Sequence, residues 1–245
     1  MMNYKAYCYI IFLALCCTGC HSIKVNHTKM HTAVTNPIAL GVIGLQKGDV
    51  YASDFQVTAI PEYKTEIRVQ ITKENFNRTT FDTYLKAAKG NEHKINYVDS
   101  LEAKPQFVIL ELLDRVALMA EIEEAHNTKT LRYIKSQKEA GIVTSVSLAI
   151  SQELIQELDN ADVVFLNNSA YKQYQLSLVK EGETYKTIDF AKTSIFGYTL
   201  SYFCWRENDK RQITLVDIID EKSSCSKNTY RDAEKALENM NYFKL

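Results

Sequence analysis

The chain is 245 residues long and sets 29 lysines and arginines against 30 aspartates and glutamates, a formal charge of −1 at neutral pH. That balance, with no basic patch along the chain, leaves no electrostatic footprint for nucleic acid, and the length suffices for a real core in one large domain or two small ones. Eight glycines, three prolines and a charged fraction of 24% exclude collagen-like and low-complexity chains and are ordinary for a folded protein.

The first element is an apolar leader. The amine of Met1 and Lys5 precede residues 6–17, which carry no charge, and small residues follow. A weakly positive start, a short apolar core and small residues before a cut site are the parts of a secretory signal peptide. The apolar run falls well short of the roughly 20 residues a spanning helix needs. Its end, Leu15-Cys16-Cys17-Thr18-Gly19-Cys20, resembles the lipobox of bacterial lipoproteins. The resemblance covers residues 1–20 only, and Cys17 stands where that family usually has an aliphatic residue. It implies that residues 1–19 are a removed signal peptide and that Cys20 is lipidated and becomes the mature N-terminus. The implied anchor carries three acyl chains, whereas a single chain holds a protein only reversibly. By the same resemblance, His21 rather than an aspartate after Cys20 leans toward an outer membrane, and the lack of an acidic cluster in the following residues leans toward its periplasmic face. Two rival readings are a plain cleaved signal and a redox or metal pair at Cys17 and Cys20. The second would set thiolates in an oily segment with no further ligand pair nearby.

Residues 20–36 show no clear periodicity and read as a flexible tether, with a single domain over 37–245. Residues 38–45 are apolar, Gln46-Lys47-Gly48-Asp49 signals a turn, and 50–60 resumes an extended pattern. Ile67, Val69 and Ile71 alternate with polar residues, the period of a half-buried strand. Phe81, Tyr84, Leu85 and Ala88 fall at helical spacing, with Thr79 or Thr80 as a start signal and Gly90 as a stop. Residues 107–113 read as a buried strand running into a helix-prone stretch, 114–125, and a second helix, 129–140. Residues 142–150 form a strand, Ser151 caps a helix over 152–158, and 163–166 is again apolar. Strand, short helix and strand predict a βαβ-like crossover. Two hairpins follow, 171–179 with 185–190 around Gly182, and 195–205 with 212–219 around Asn208-Asp209. A closing helix spans 229–241. The pattern predicts an α+β fold with a mostly antiparallel sheet, several helices, C-terminal hairpins and a closing helix.

The residues offer little chemistry. Four of the six cysteines lie in the leader or end it, which leaves Cys204 and Cys225 as a disulfide pair in an oxidising compartment. His21, His27 and His31 fall in the tether and read as solvated linker residues rather than a metal site. Glu123 and His126 have the spacing of half a carboxylate metal site, and the other half is missing. Glu111 and Asp114 flank the most apolar run: Glu111 is expected on the wet face of its strand and Asp114 as a helix cap, with a functional carboxylate as the alternative. No Gly-x-Ser-x-Gly elbow and no phosphate loop is present. The aromatic residues on the last hairpin are the one compositional excess. Phe196, Tyr198 and Tyr202 are expected on one strand face, Phe203 and Trp205 on the other. Phe196, Tyr198, Tyr202 and Trp205 are the candidate binding surface, with core packing as the competing reading.

The expectation is therefore a lipid-anchored envelope protein of non-catalytic binding or assembly type. It would use no cofactor and no metal, be held to a membrane through Cys20, and meet an envelope protein or a small ligand. The alternatives are a hydrolase of envelope polymers using buried carboxylates, and a membrane-tethered immunity-type inhibitor.

Overall fold

A computed structural model describes residues 22–33, 38–47, 54–88, 95–190 and 193–238. Two long strands, β7 (Ala140–Ala149) and β11 (Ser194–Glu207), organise the molecule. They pair with each other over Ser194–Tyr202, and each has a second edge that two different strands share. On β11 these are β2 (Thr28–Thr32), reached from β1 (Ser22–Val25), and β12 (Ile213–Asp220). On β7 they are β3 (Ile43–Lys47), which continues to β4 (Asp54–Ala59), and β6 (Gln106–Leu112). Beyond β6 the sheet runs through β5 (Ile67–Asn75), β8 (Val163–Ala170) and β9 (Gln173–Lys180) to β10 (Glu183–Asp189). The sheet therefore forks at both edges of its central pair.

Every pairing between described strands is antiparallel. With the helices, this makes the fold α+β. The expected βαβ crossover is absent: β8 lies three places from β7 and runs antiparallel to it, so α4 (Gln152–Asn160) bridges non-neighbouring strands. All ten residues of β7 are buried, as expected for a strand at the centre of the sheet.

Local chemistry accounts for the helices. Asn77 caps α1 (Arg78–Ala87) by accepting from the Thr80 amide at 2.9 Å, while the Thr80 hydroxyl accepts from the Asn77 amide at 2.9 Å. This reciprocal capping box satisfies two amides the helix would leave orphaned. Asp114 caps α2 (Arg115–Glu123) through the Ala117 amide, and Ser151 caps α4 through the Leu154 amide. Neither α3 (Thr128–Ser136) nor α5 (Ala233–Glu238) reaches the extent expected for it. Ala140 already belongs to β7, and Tyr230 is held by a two-way backbone bridge to Trp205. Residues 239–241 of the expected closing helix lie outside the described residues.

The main core draws side chains from Ala33 to Ala236. A second cluster fills the opposite sheet face under α1 and the β1–β2 hairpin, with Ile23, Val25, Met30, Phe76, Tyr84, Phe107 and Phe196. This corrects the expected flexible tether: residues 22–32 form a paired hairpin whose Ile23, Val25 and Met30 are each no more than 4% exposed. Burying three such side chains contributes roughly 1.5–3 kcal/mol each, enough to hold a two-stranded element that would be marginal alone. Asn26 and His27 at its turn both have positive φ, +41° and +65°, the two-residue turn whose twist matches a hairpin.

Candidate functional site

Where β2 and β12 part on the edge of β11, the sheet face left uncovered by the hairpin and α1 forms a groove of about 450 Å³. Its floor is a row of residues on adjacent strands: Thr72 on β5, Ile109 and Glu111 on β6, Ser145 on β7 and Thr199 on β11. The pairings Glu111 with Ser145 and Ser145 with Thr199 put these side chains on one face. One wall is the hairpin tip from Val25 to Met30, and the other is the segment Asp220-Glu221-Lys222-Ser223.

A bulge shapes the floor. The β7–β11 register shifts between Thr199 and Leu200, so Thr144 is the extra residue and lines the groove beside Ser145. Bulges re-aim side chains in this way. Thr144 Oγ1 lies 2.8 Å from Ser201 Oγ, which in turn donates to Asp220 at 3.4 Å. Arg115 grips the same carboxylate at 2.7 Å and the Ile218 carbonyl at 2.8 Å. On the far wall, His31 Nε2 lies 3.1 Å from both Glu221 oxygens, while Gln46 donates to His31 Nδ1 at 3.4 Å. With Nδ1 accepting from Gln46, the ring carries its proton on Nε2 and donates it to Glu221. Two of the three groove carboxylates are thus already engaged, and Glu111 stands on the floor, exposed to water as expected for its strand face.

The candidate binding surface is overturned. Phe196, Tyr198 and Trp205 are 0%, 1% and 1% exposed and Tyr202 is 8% exposed, so none of the four offers a ligand its face. A bulge in β11 also breaks the expected alternation. Phe196 is the unpaired residue between Ile195 and Gly197 and turns into the second core, edge-on to Phe107 at 5.1 Å, while Tyr198 enters the main core. Phe203 and Trp205 do share a face, with ring centroids 6.2 Å apart. Tyr202 packs with the disulfide under the Arg231 guanidinium, 3.8 Å from its ring centroid.

Cys204 and Cys225 are bonded to each other, their Cα atoms 5.7 Å apart. Cys20 and His21 lie outside the described residues. His27 sits at the hairpin tip, and Glu123 accepts from the Leu215 amide at 2.9 Å, turned away from His126. His126 instead lies 3.4 Å from Glu121, a residue the sequence reading passed over. Burial pushes the Glu121 carboxyl up. Hydrogen bonds from the Thr65 hydroxyl and the Lys64 and Thr65 amides, with His126 beside it, outweigh that and hold it below its ordinary value. Asn127 adds bonds to both the amide and the carbonyl of Glu62, so this cluster straps the 61–65 loop to the helices. Tyr174 finishes the strap by donating to the Pro61 carbonyl at 2.6 Å. These groups are consumed by structure.

Among the described residues, no three histidine, cysteine or carboxylate side chains gather as a metal site would require. No helix of the described residues is long and apolar enough to cross a membrane. Compared with models of known protein families, with curated proteins and with solved structures, the chain matches none.

Proposed function

We propose that this is a lipid-anchored protein of the bacterial cell envelope that binds a polar ligand in the groove at the fork of its sheet. The observation that carries the reading is the position of the groove in the chain. One wall is the β1–β2 hairpin, which begins two residues after Cys20. A lipid on Cys20 would therefore hold the groove wall itself near a bilayer. Four strand residues carry the hairpin from Ser22 to its tip, about 14 Å at the usual rise. The Cys204–Cys225 bond supports an oxidising compartment, and the lipobox resemblance supports export.

The groove chemistry favours binding over turnover. Hydroxyls of Thr72, Thr144, Ser145 and Thr199 offer both donors and acceptors, while Asp220 and Glu221 are held by Arg115 and His31. Such a lining suits a ligand rich in hydroxyl and amide groups, such as a segment of an envelope polymer. Titrating the protein with soluble glycan-peptide fragments of that polymer, followed by backbone amide shifts, tests the reading. Saturable shifts at Thr72, Ser145, Thr199 and the hairpin tip are expected. Shifts confined to other elements, or release of cleaved fragments, would overturn it.

A further inference from the structure

We propose that the β1–β2 hairpin is a membrane-apposed edge whose Lys24–Lys29 pair engages anionic phospholipid headgroups, holding the groove at the bilayer in one orientation. The proposal rests on the reading of Cys20 as the lipid-bearing residue. Two residue steps separate Cys20 from Ser22 and reach at most about 7 Å. The headgroup layer on one side of a bilayer is itself about 5–8 Å thick. Ser22 belongs to a hairpin locked by its pairing with His31 and by the buried Ile23, Val25 and Met30. The lipid would therefore leave the body no long leash, and the Ser22 end would sit in or at the headgroups.

The outward side of the hairpin then faces that layer. Strand alternation puts Ser22 and Lys24 on one side of β1 with Lys29 and His31 opposite them on β2, while Ile23, Val25 and Met30 point inward. Lys24 and Lys29 are direct cross-strand partners and both exposed. Like charges set opposite each other destabilise a sheet, so the pair calls for an anionic counterpart. Among the described residues neither lysine has an ion-pair partner, and the neighbouring carboxylate of Glu221 is taken up by His31. Lys24 stands about 7 Å along the strand from Ser22, and its flexible stem extends the ammonium further. Lys24 lies on the outermost strand of the sheet, where a single lysine suffices to deter edge-to-edge pairing, and Lys29 faces it from the next strand in. A facing pair goes beyond that need.

The test uses the chain beginning at Cys20, which contains every described element, with the Cys204–Cys225 bond closed so that Cys20 is its one free thiol. A single-chain alkyl maleimide on Cys20 gives marginal, reversible membrane binding, which makes partitioning sensitive to small added contributions. Partition onto phosphatidylglycerol-containing vesicles is expected to exceed that onto phosphatidylcholine vesicles by roughly 30-fold for two lysines at the surface. Lys24→Gln with Lys29→Gln should remove most of that excess and Lys24→Arg with Lys29→Arg should keep it. Lys180→Gln, near the opposite edge of the sheet, should leave it unchanged. A flexible spacer inserted after Cys20 should weaken it. Equal partition of the parent chain onto both vesicles would overturn the proposal. So would an unchanged excess in the double glutamine variant, including the case where that variant only self-associates. Circular dichroism checks that these surface variants fold. The acyl chain is attached chemically, so this outcome is independent of whether cells lipidate Cys20.

Discussion

Opening the Cys204–Cys225 bond is expected to lower stability by about 3 kcal/mol. The two cysteines are 21 residues apart in sequence, and closing a loop of that length removes chain entropy from the unfolded state worth about that amount. The native structure has little to lose directly: Cys204 is buried in β11, within the β11–β12 pairing that runs from Ser201 to Glu207, and that backbone ladder is expected to survive reduction. The cost should thus fall on the equilibrium, by a factor of roughly 100 or more, and not on the fold. Urea unfolding with and without reductant is the assay. With a slope of about 3 kcal/mol per molar, the midpoint should fall by about 1 M while the native spectrum stays the same. Reduced parent protein is the cleanest comparison, since no atoms are deleted. The double variant Cys204→Ala, Cys225→Ser should match it to within about 1 kcal/mol and be insensitive to reductant. A loss below about 1 kcal/mol on reduction would refute the reasoning, because the unfolded chain would then gain no freedom when the bond opens.

Phe196→Ala should cost about 3–5 kcal/mol in the same urea assay, because it empties the centre of the second core, whereas Tyr171→Ala, 79% exposed, should change stability by under about 0.5 kcal/mol. The opposite ranking would return Phe196 to the surface. Glu121 sits below its ordinary value of 4.5 in the folded protein, so it stabilises the fold in full above that value and loses the contribution as pH falls through its lower folded value. The stability difference between the parent and Glu121→Gln should therefore shrink on acidification from about pH 6 to about pH 3, and a constant difference would contradict the strap.

What the sequence made legible follows the range of its signals. Alternation and turn residues are local, so the strands of residues 106–112, 140–149 and 194–207 and the hairpin around Gly182 were readable, as was the cysteine pair. The β1–β2 hairpin was missed because its turn carries Asn26-His27, without the glycine that usually supplies left-handed φ. Ile23 and Val25 hold the period of two on one four-residue strand only, and the turn shifts Met30 out of that period, so the three do not stand out among lysines and histidines. The faces of β11 were misread at Phe196 because a bulge costs one residue of register, and one residue reverses every face beyond it. The groove was invisible for a different reason. Its floor joins Thr72, Glu111, Ser145 and Thr199, which no local period connects and only the sheet order brings together. Glu121 gave no sequence signal beyond a carboxylate on an apolar helix face, and its partners Lys64 and Thr65 come from a loop more than fifty residues away.

Metabolic labelling with a fatty-acid analogue, followed by intact mass and N-terminal analysis of the chain made in a bacterial host, tests the central claim most directly. The account predicts a labelled protein that begins at Cys20, and an unlabelled one for Cys20→Ala. An unlabelled parent chain, a first residue other than Cys20, or label that survives Cys20→Ala would contradict it.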